Sequence, residues 1–248
     1  MNRRSRLSLA LFAALACAGG PAHGDGVVAD LSSHLIAITS GFSGSSVVLF
    51  GSTEGSGDII AVVRGPEREM TVWRKGKVAG IWVNAESVVF NNVPSFYAVA
   101  SSRPIEEVVA PGPAALYRIG TGNLKFQAKP PATPEDAARF SAALVAEQKR
   151  EGLFAAEAGK IAFLGGRLFR TTIGFPANVP TGTYIVEVFL VRDRDVISGQ
   201  TTPLVVSKVG LDAAVYDFAT RQSAAYGAIA VLTAVVAGWL ASLPFRSV

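Results

Sequence analysis

Thiols and imidazoles are almost missing from this chain of 248 residues. Its one cysteine, Cys17, lies in an N-terminal apolar run, and His23, one of two histidines, follows closely. With that run removed, neither a disulfide nor a cysteine–metal site can form. The remaining imidazole, His34, cannot alone build a histidine zinc site or a histidine-paired nucleophile. Excess charge is missing too. The net charge of +4 reflects 23 basic and 19 acidic residues, but Arg3, Arg4 and Arg6 fall within an N-terminal stretch that holds no acid. From Asp25 onward 20 basic residues face 19 acidic ones, a net +1, which is no electrostatic footprint for nucleic acid. These absences lead us to expect no metal, no cofactor, no nucleic-acid partner and no enzyme.

The apolar residues that lift the hydrophobic share to 50% are concentrated at the two ends. Residues 1–24 carry the parts of a secretory signal: basic Asn2–Arg6, apolar Leu7–Ala18, and small residues at Ala22 and Gly24. About twelve apolar residues are too few to span a bilayer. At the other end Gln222–Phe245 is uncharged and bounded by Arg221 and Arg246. Its centre, 224–243, is about twenty residues long, enough to cross. Tyr226 and Trp239 stand near its ends, where amphipathic rings favour the interface. The flanking arginines balance, so orientation follows from the signal. The body is expected in the periplasm, with a single pass through the inner membrane and 244–248 as a cytoplasmic tail. Ala230, Ala234, Gly238 and Ser242 recur every four residues, a small-residue stripe against which another helix can pack.

Between the ends, short runs rich in Val, Ile, Phe, Tyr and Trp alternate with turn residues. His34–Thr39, Val47–Phe50, Asp58–Arg64, Met70–Arg74, Ala79–Asn84 and Ser95–Ala100 read as strands, with Lys75–Gly76 as a hairpin tip. Residues 105–155 form a proline-rich connection with a short helix near Ala114–Ile119 and an amphipathic helix opened by Thr133 and Pro134 and ended by Gly152. Strand character returns at Arg167–Phe175, Tyr184–Arg192, Asp195–Ser198 and Thr202–Val209, with Arg192–Arg194 as a further tip. The fold class is mainly β: an antiparallel, immunoglobulin-like sandwich with an inserted helix and one C-terminal transmembrane helix. The expected division is 25–104 and 156–210 as strand-rich segments, forming one sandwich or two, with 211–223 as a juxtamembrane linker.

Few groups suggest chemistry. Gly51–Gly57 lacks the Gly-Lys-Ser/Thr ending of a phosphate loop and no helix follows it. Glu106–Glu107 and the pair Asp193 and Asp195 sit in turn-like contexts. The strongest constellation is Arg64, Trp73, Trp82, Asn84, Tyr97 and Arg103. Guanidinium forks suit oxyanions and indoles give wide contact at small entropic cost, so these residues are candidate contacts for a ligand or partner. The competing reading puts both tryptophans in the core and pairs the arginines with local acids.

Segment order adds a further clue. Val48–Gly51, Asp58–Pro66, Trp73–Lys75, Ala79–Asn84, Phe96–Pro104 and the final apolar run resemble the putative transmembrane protein family of Alphaproteobacteria. The resemblance covers almost the whole mature chain and is most specific over Asp58–Pro104. It implies an inner-membrane protein with a periplasmic body and brings no established activity. Genes of that family often lie near a sulfite-exporter-type permease, which implies an accessory role in sulfur-oxyanion transport. The expected function is therefore a non-enzymatic accessory or interaction protein, with membrane lipid and an integral membrane permease as partners. The alternatives are a periplasmic small-anion binder using Arg64 and Arg103, or an envelope structural protein.

Overall fold

The computed structural model describes residues 26–78 and 80–242. The signal segment 1–24, Leu243 and the tail 244–248 lie outside these residues, as does the side chain of Ser242. Seven strands come first: β1 (Val27–Leu31), β2 (Leu35–Ile38), β3 (Gly44–Thr53), β4 (Asp58–Arg64), β5 (Glu67–Val78), β6 (Ile81–Pro94) and β7 (Tyr97–Ser101). A mostly helical stretch follows with α1 (Ile105–Val108), α2 (Pro111–Leu116), a 3₁₀ turn at Thr121–Asn123, the short β8 (Gln127–Ala128) and α3 (Pro134–Arg150). Then come β9 (Gly159–Lys160), β10 (Ala162–Leu164), β11 (Leu168–Pro176), β12 (Gly182–Arg192) and β13 (Asp195–Lys208). The chain closes with α4 (Leu211–Arg221) and α5 (Ser223–Ser242).

Two sheets form the body. One has the order β1-β3-β11-β10 and is antiparallel throughout; the other runs β2-β13-β12-β4-β7-β9, antiparallel inside with parallel edge strands β2 and β9. Each sheet combines strands from before and after the helical stretch, since β3 pairs with β11 and β4 with β12. The sequence explains which faces meet. In β11 the alternate residues Phe169, Thr171, Ile173 and Phe175 are buried while Arg170, Thr172 and Gly174 are exposed, the pattern of a strand covered on one side. Phe175 stacks on Phe96 with centroids 5.0 Å apart and meets the Tyr184 ring of β12 edge-on, which joins the sheets.

The second sheet is covered on both faces at its centre. Ile59–Val63 of β4 are all buried, as an unbroken apolar run requires. One face packs on the other sheet. Over the other lies the stretch that follows α1 and α2, where Tyr117 reaches the Phe189 ring at 5.1 Å. β1 is an edge strand whose outward backbone groups would template aggregation. Gln200 of β13 satisfies those of Ala29 at its centre, donating to the Ala29 carbonyl and accepting from its N–H, both at 2.8 Å.

α3 forms where expected. The Thr133 hydroxyl accepts from the Asp136 N–H at 3.1 Å, Glu135 and Asp136 lie in the first turn, and Gly152 leaves the helix at a φ of 74°. It packs on the base of the β5–β6 hairpin, where Phe90 and Val93 are buried. The Arg192–Arg194 tip also holds: Asp193 and Arg194 both take positive φ between β12 and β13. The other expected tip moves. Lys75 and Gly76 lie inside β5, and the hairpin turns instead at Gly80, with a φ of 87°. At the C-terminus the juxtamembrane stretch is a separate helix, α4, parted from α5 at Gln222. α5 is long and apolar enough to cross a membrane, and none of its spanning window is buried by the rest of the chain.

Candidate functional site

The ladder of the second sheet does not end with the sheet. Arg64 pairs with Tyr97, Gly65 donates to the Phe96 carbonyl, Ser95 donates to that of Pro66, and Glu67 pairs with Pro94. The β4–β7 pair thus continues directly into β5–β6. Beyond its packed base this ribbon is bare. Ile81 and Trp82 are each 68% exposed and Trp73 is 54% exposed. Trp82 stands opposite Lys77, Asn84 opposite Lys75 and, past one bulge, Trp73 opposite Ser87. Alternation therefore places Trp73, Lys75, Lys77, Trp82 and Asn84 on one ribbon face.

The proposed constellation separates into three places. Trp73, Trp82 and Asn84 share the ribbon, and the tryptophans are not core residues. Arg64 and Tyr97 are register neighbours in the body, facing the helical cover. Arg64 forms an ion pair with Glu187 and donates to the Tyr117 carbonyl. Burial pulls its guanidinium downward, but an arginine starts high enough to remain cationic. The Tyr97 hydroxyl donates to the Arg118 carbonyl at 2.9 Å and accepts from the Gly120 N–H at 2.7 Å. Burial raises this phenol to about 12, so it is a fixed hydrogen-bonding post.

Arg103 is at the far end of β4, where it grips Asp58 through two donors while Ser102 donates to the same carboxylate at 2.8 Å. Arg64 and Arg103 thus follow the competing reading, each already facing a carboxylate. Arg103 holds the Asp58 carboxyl below its ordinary value. A lowered carboxyl stabilises the fold above the ordinary carboxylate range and loses that contribution as pH falls through the folded value. Asp58→Asn should therefore cost about 1 kcal/mol at neutral pH, and the difference from the parent should shrink below about pH 4. Thermal melts of both chains between pH 3 and 8 would show it. An unchanged gap at pH 3 would mean that packing, and not charge, sets the cost.

One concavity leaves no trace in any local motif. A cleft of about 630 Å³ opens between α1, the 3₁₀ turn and the segment 155–158, lined mainly by Ile105, Val109, Ala114 and Ile119 with Glu106, Glu157 and Arg194. It is assembled from three separate stretches of the chain, before and around the 3₁₀ turn, at 155–158 and at Arg194. Among the described residues no group of three or more His, Cys, Asp or Glu side chains could hold a metal ion.

The fold and its C-terminal helix define a class, a β-rich body joined to one candidate membrane span among the described residues. The chain belongs to the family described as Putative transmembrane protein (Alph_Pro_TM), whose profile matches residues 26–247. No curated protein and no solved structure matches the chain. The resemblance read from Asp58–Pro104 therefore holds, and the match carries no information about a permease.

Proposed function

We propose that this protein is a non-enzymatic interaction module of the cell inner membrane, single-pass, with its body in the periplasm and its C-terminus in the cytoplasm. Its partner in this reading is an integral membrane protein, a sulfur-oxyanion permease being the candidate that the family resemblance suggests. The observation that carries the proposal is α5 itself. It is apolar and bare on every side, with Ala230, Ala234 and Gly238 along one stripe. In lipid, helices associate through close packing, and such a stripe removes the bulk that keeps backbones apart. The body supports the reading, because Arg64 and Arg103, its two candidate anion contacts, are already engaged with Glu187 and Asp58.

Photo-crosslinkers at 230, 234 and 238, in native membranes, should trap one specific membrane protein, with much weaker adducts from 232 and 236 on other faces. Lipid adducts alone at all three stripe positions would remove the helix as a partner surface.

A further inference from the structure

The bare ribbon and the membrane helix leave the body at the same end. β13 runs antiparallel to β12, with Gly182 beside Val206, so Lys208 and the start of α4 lie just past Gly182. Pro66, where the ribbon begins, also lies at Gly182: a Cβ placed there would come within 2.7 Å of the Pro66 ring. The reach is sufficient. Twelve residues of β5 extend up to about 40 Å at 3.3 Å each, whereas eleven of α4 give about 16 Å before α5 begins.

We propose that the tip of the β5–β6 hairpin is a second membrane contact, seated in the interface of the bilayer that α5 crosses. Its residue types are those of an interfacial element. Ile81 and Val83 are exposed on one face of the ribbon and Trp82 on the other, so the apolar tip has no dry side against the body. Indoles favour the level of the headgroups. Lys75 and Lys77 flank the tip and form no ion pair among the described residues, while Arg74 is paired with Glu86. From Trp73 to Asn84 the sequence holds three basic residues and no acid, which suits anionic headgroups. A protein partner would equally accept the apolar groups. The shared exit with the anchor and the acid-free rim favour lipid, because the anchor already holds the tip at a bilayer. The body is then pinned at two points, which fixes its tilt.

The inference rests on α5 being the anchor and is independent of any permease. The full chain carrying Trp239→Phe, reconstituted in vesicles of phosphatidylethanolamine and phosphatidylglycerol, leaves only Trp73 and Trp82 as indoles. Acyl-brominated lipid should quench roughly half of that emission. Lys75→Glu with Lys77→Glu should reduce the quenching, and Trp82→Ser should remove most of it. These positions are exposed, so the variants should fold.

Emission untouched by acyl bromine but open to iodide would overturn the proposal. Quenching that needs high protein density would do so as well, since it would indicate a second copy. A photo-crosslinker at position 82 that yields only protein adducts in native membranes would replace lipid by a protein. Flotation of the chain with the vesicles checks the anchor separately. Failure to float would count against α5, whereas flotation without quenching would count against the tip alone.

Discussion

Gly51→Ala should destabilise the body by about 3 kcal/mol, and Gly51→Val should leave no folded protein. The position reads as part of a glycine-rich loop, yet Gly51 is in β3, the strand between β1 and β11. It pairs with Ala29 on one side and Phe169 on the other. A Cβ there would meet the Val28 carbonyl oxygen at 2.3 Å, the Phe169 ring at 2.5 Å and the Ala29 Cα at 2.9 Å. Two of these are backbone, so repacking a side chain cannot relieve the clash, and β1 must move away from β3. That movement also breaks the Gln200 clasp on Ala29, loosening the sheets from each other. Gly174→Ala, one strand over, is the control: nothing lies within 4 Å of its added methyl and it should melt near the parent. Thermal melts of the full chain in mild detergent would separate the three. Equal melting of the two alanine variants would mean that β1 is not held against β3.

What the sequence revealed was what local chemistry determines. β4 has the bounds its neighbouring turns announce, Thr133 caps α3 through its own hydroxyl, and the Arg192–Arg194 tip needs only two residues at positive φ. The apolar C-terminal helix follows from length and composition. Errors came where distant chain decides. β1 is five residues long and gains its meaning only from β3 and Gln200. Lys75–Gly76 looks like a turn, but Gly76 is where the ribbon closes on its bulge: a Cβ there would sit 2.8 Å from that of Ala85. A tryptophan in a strand reads alike whether that strand is covered or bare, so neither Trp73 nor Trp82 could be placed from composition. Their exposure depends on how far β5 and β6 outrun α3.

The same ribbon makes sense of the arginines. The six candidate residues lie on or beside one continuous two-stranded ladder, with Arg103 near one end, Arg64 and Tyr97 in the middle and the tryptophans toward the other. They are neighbours along an element rather than walls of a pocket. A ligand-binding reading needs convergence, and a ladder of this length instead transmits position. The body end is locked by ion pairs and the free end is dressed for an interface.

The lock itself should be the second most sensitive point. Glu187→Ala should cost about 3 kcal/mol, because it leaves the Arg64 guanidinium facing the helical cover without its carboxylate. Arg64 and Glu187 are diagonal neighbours on β4 and β12, with side chains only 19% and 23% exposed. Pairs this sheltered differ from surface pairs, whose median worth is about 0–1 kcal/mol. Arg64→Met should cost a similar amount by stranding the acid and releasing the Tyr117 carbonyl. The double variant, Arg64→Met with Glu187→Met, should recover to within about 1 kcal/mol of the parent, since similar volume replaces two desolvated charges. Only Tyr117 then lacks its donor, and Tyr97 still ties Arg118 and Gly120 to the sheet. A double-mutant cycle on thermal or denaturant unfolding gives the coupling directly. In hydrogen exchange, the single variants should lose protection first at residues 117–120, where the cover meets β4 and β7. Coupling near zero with protection intact there would show that the cover is held by Tyr97 and the Tyr117–Phe189 contact alone.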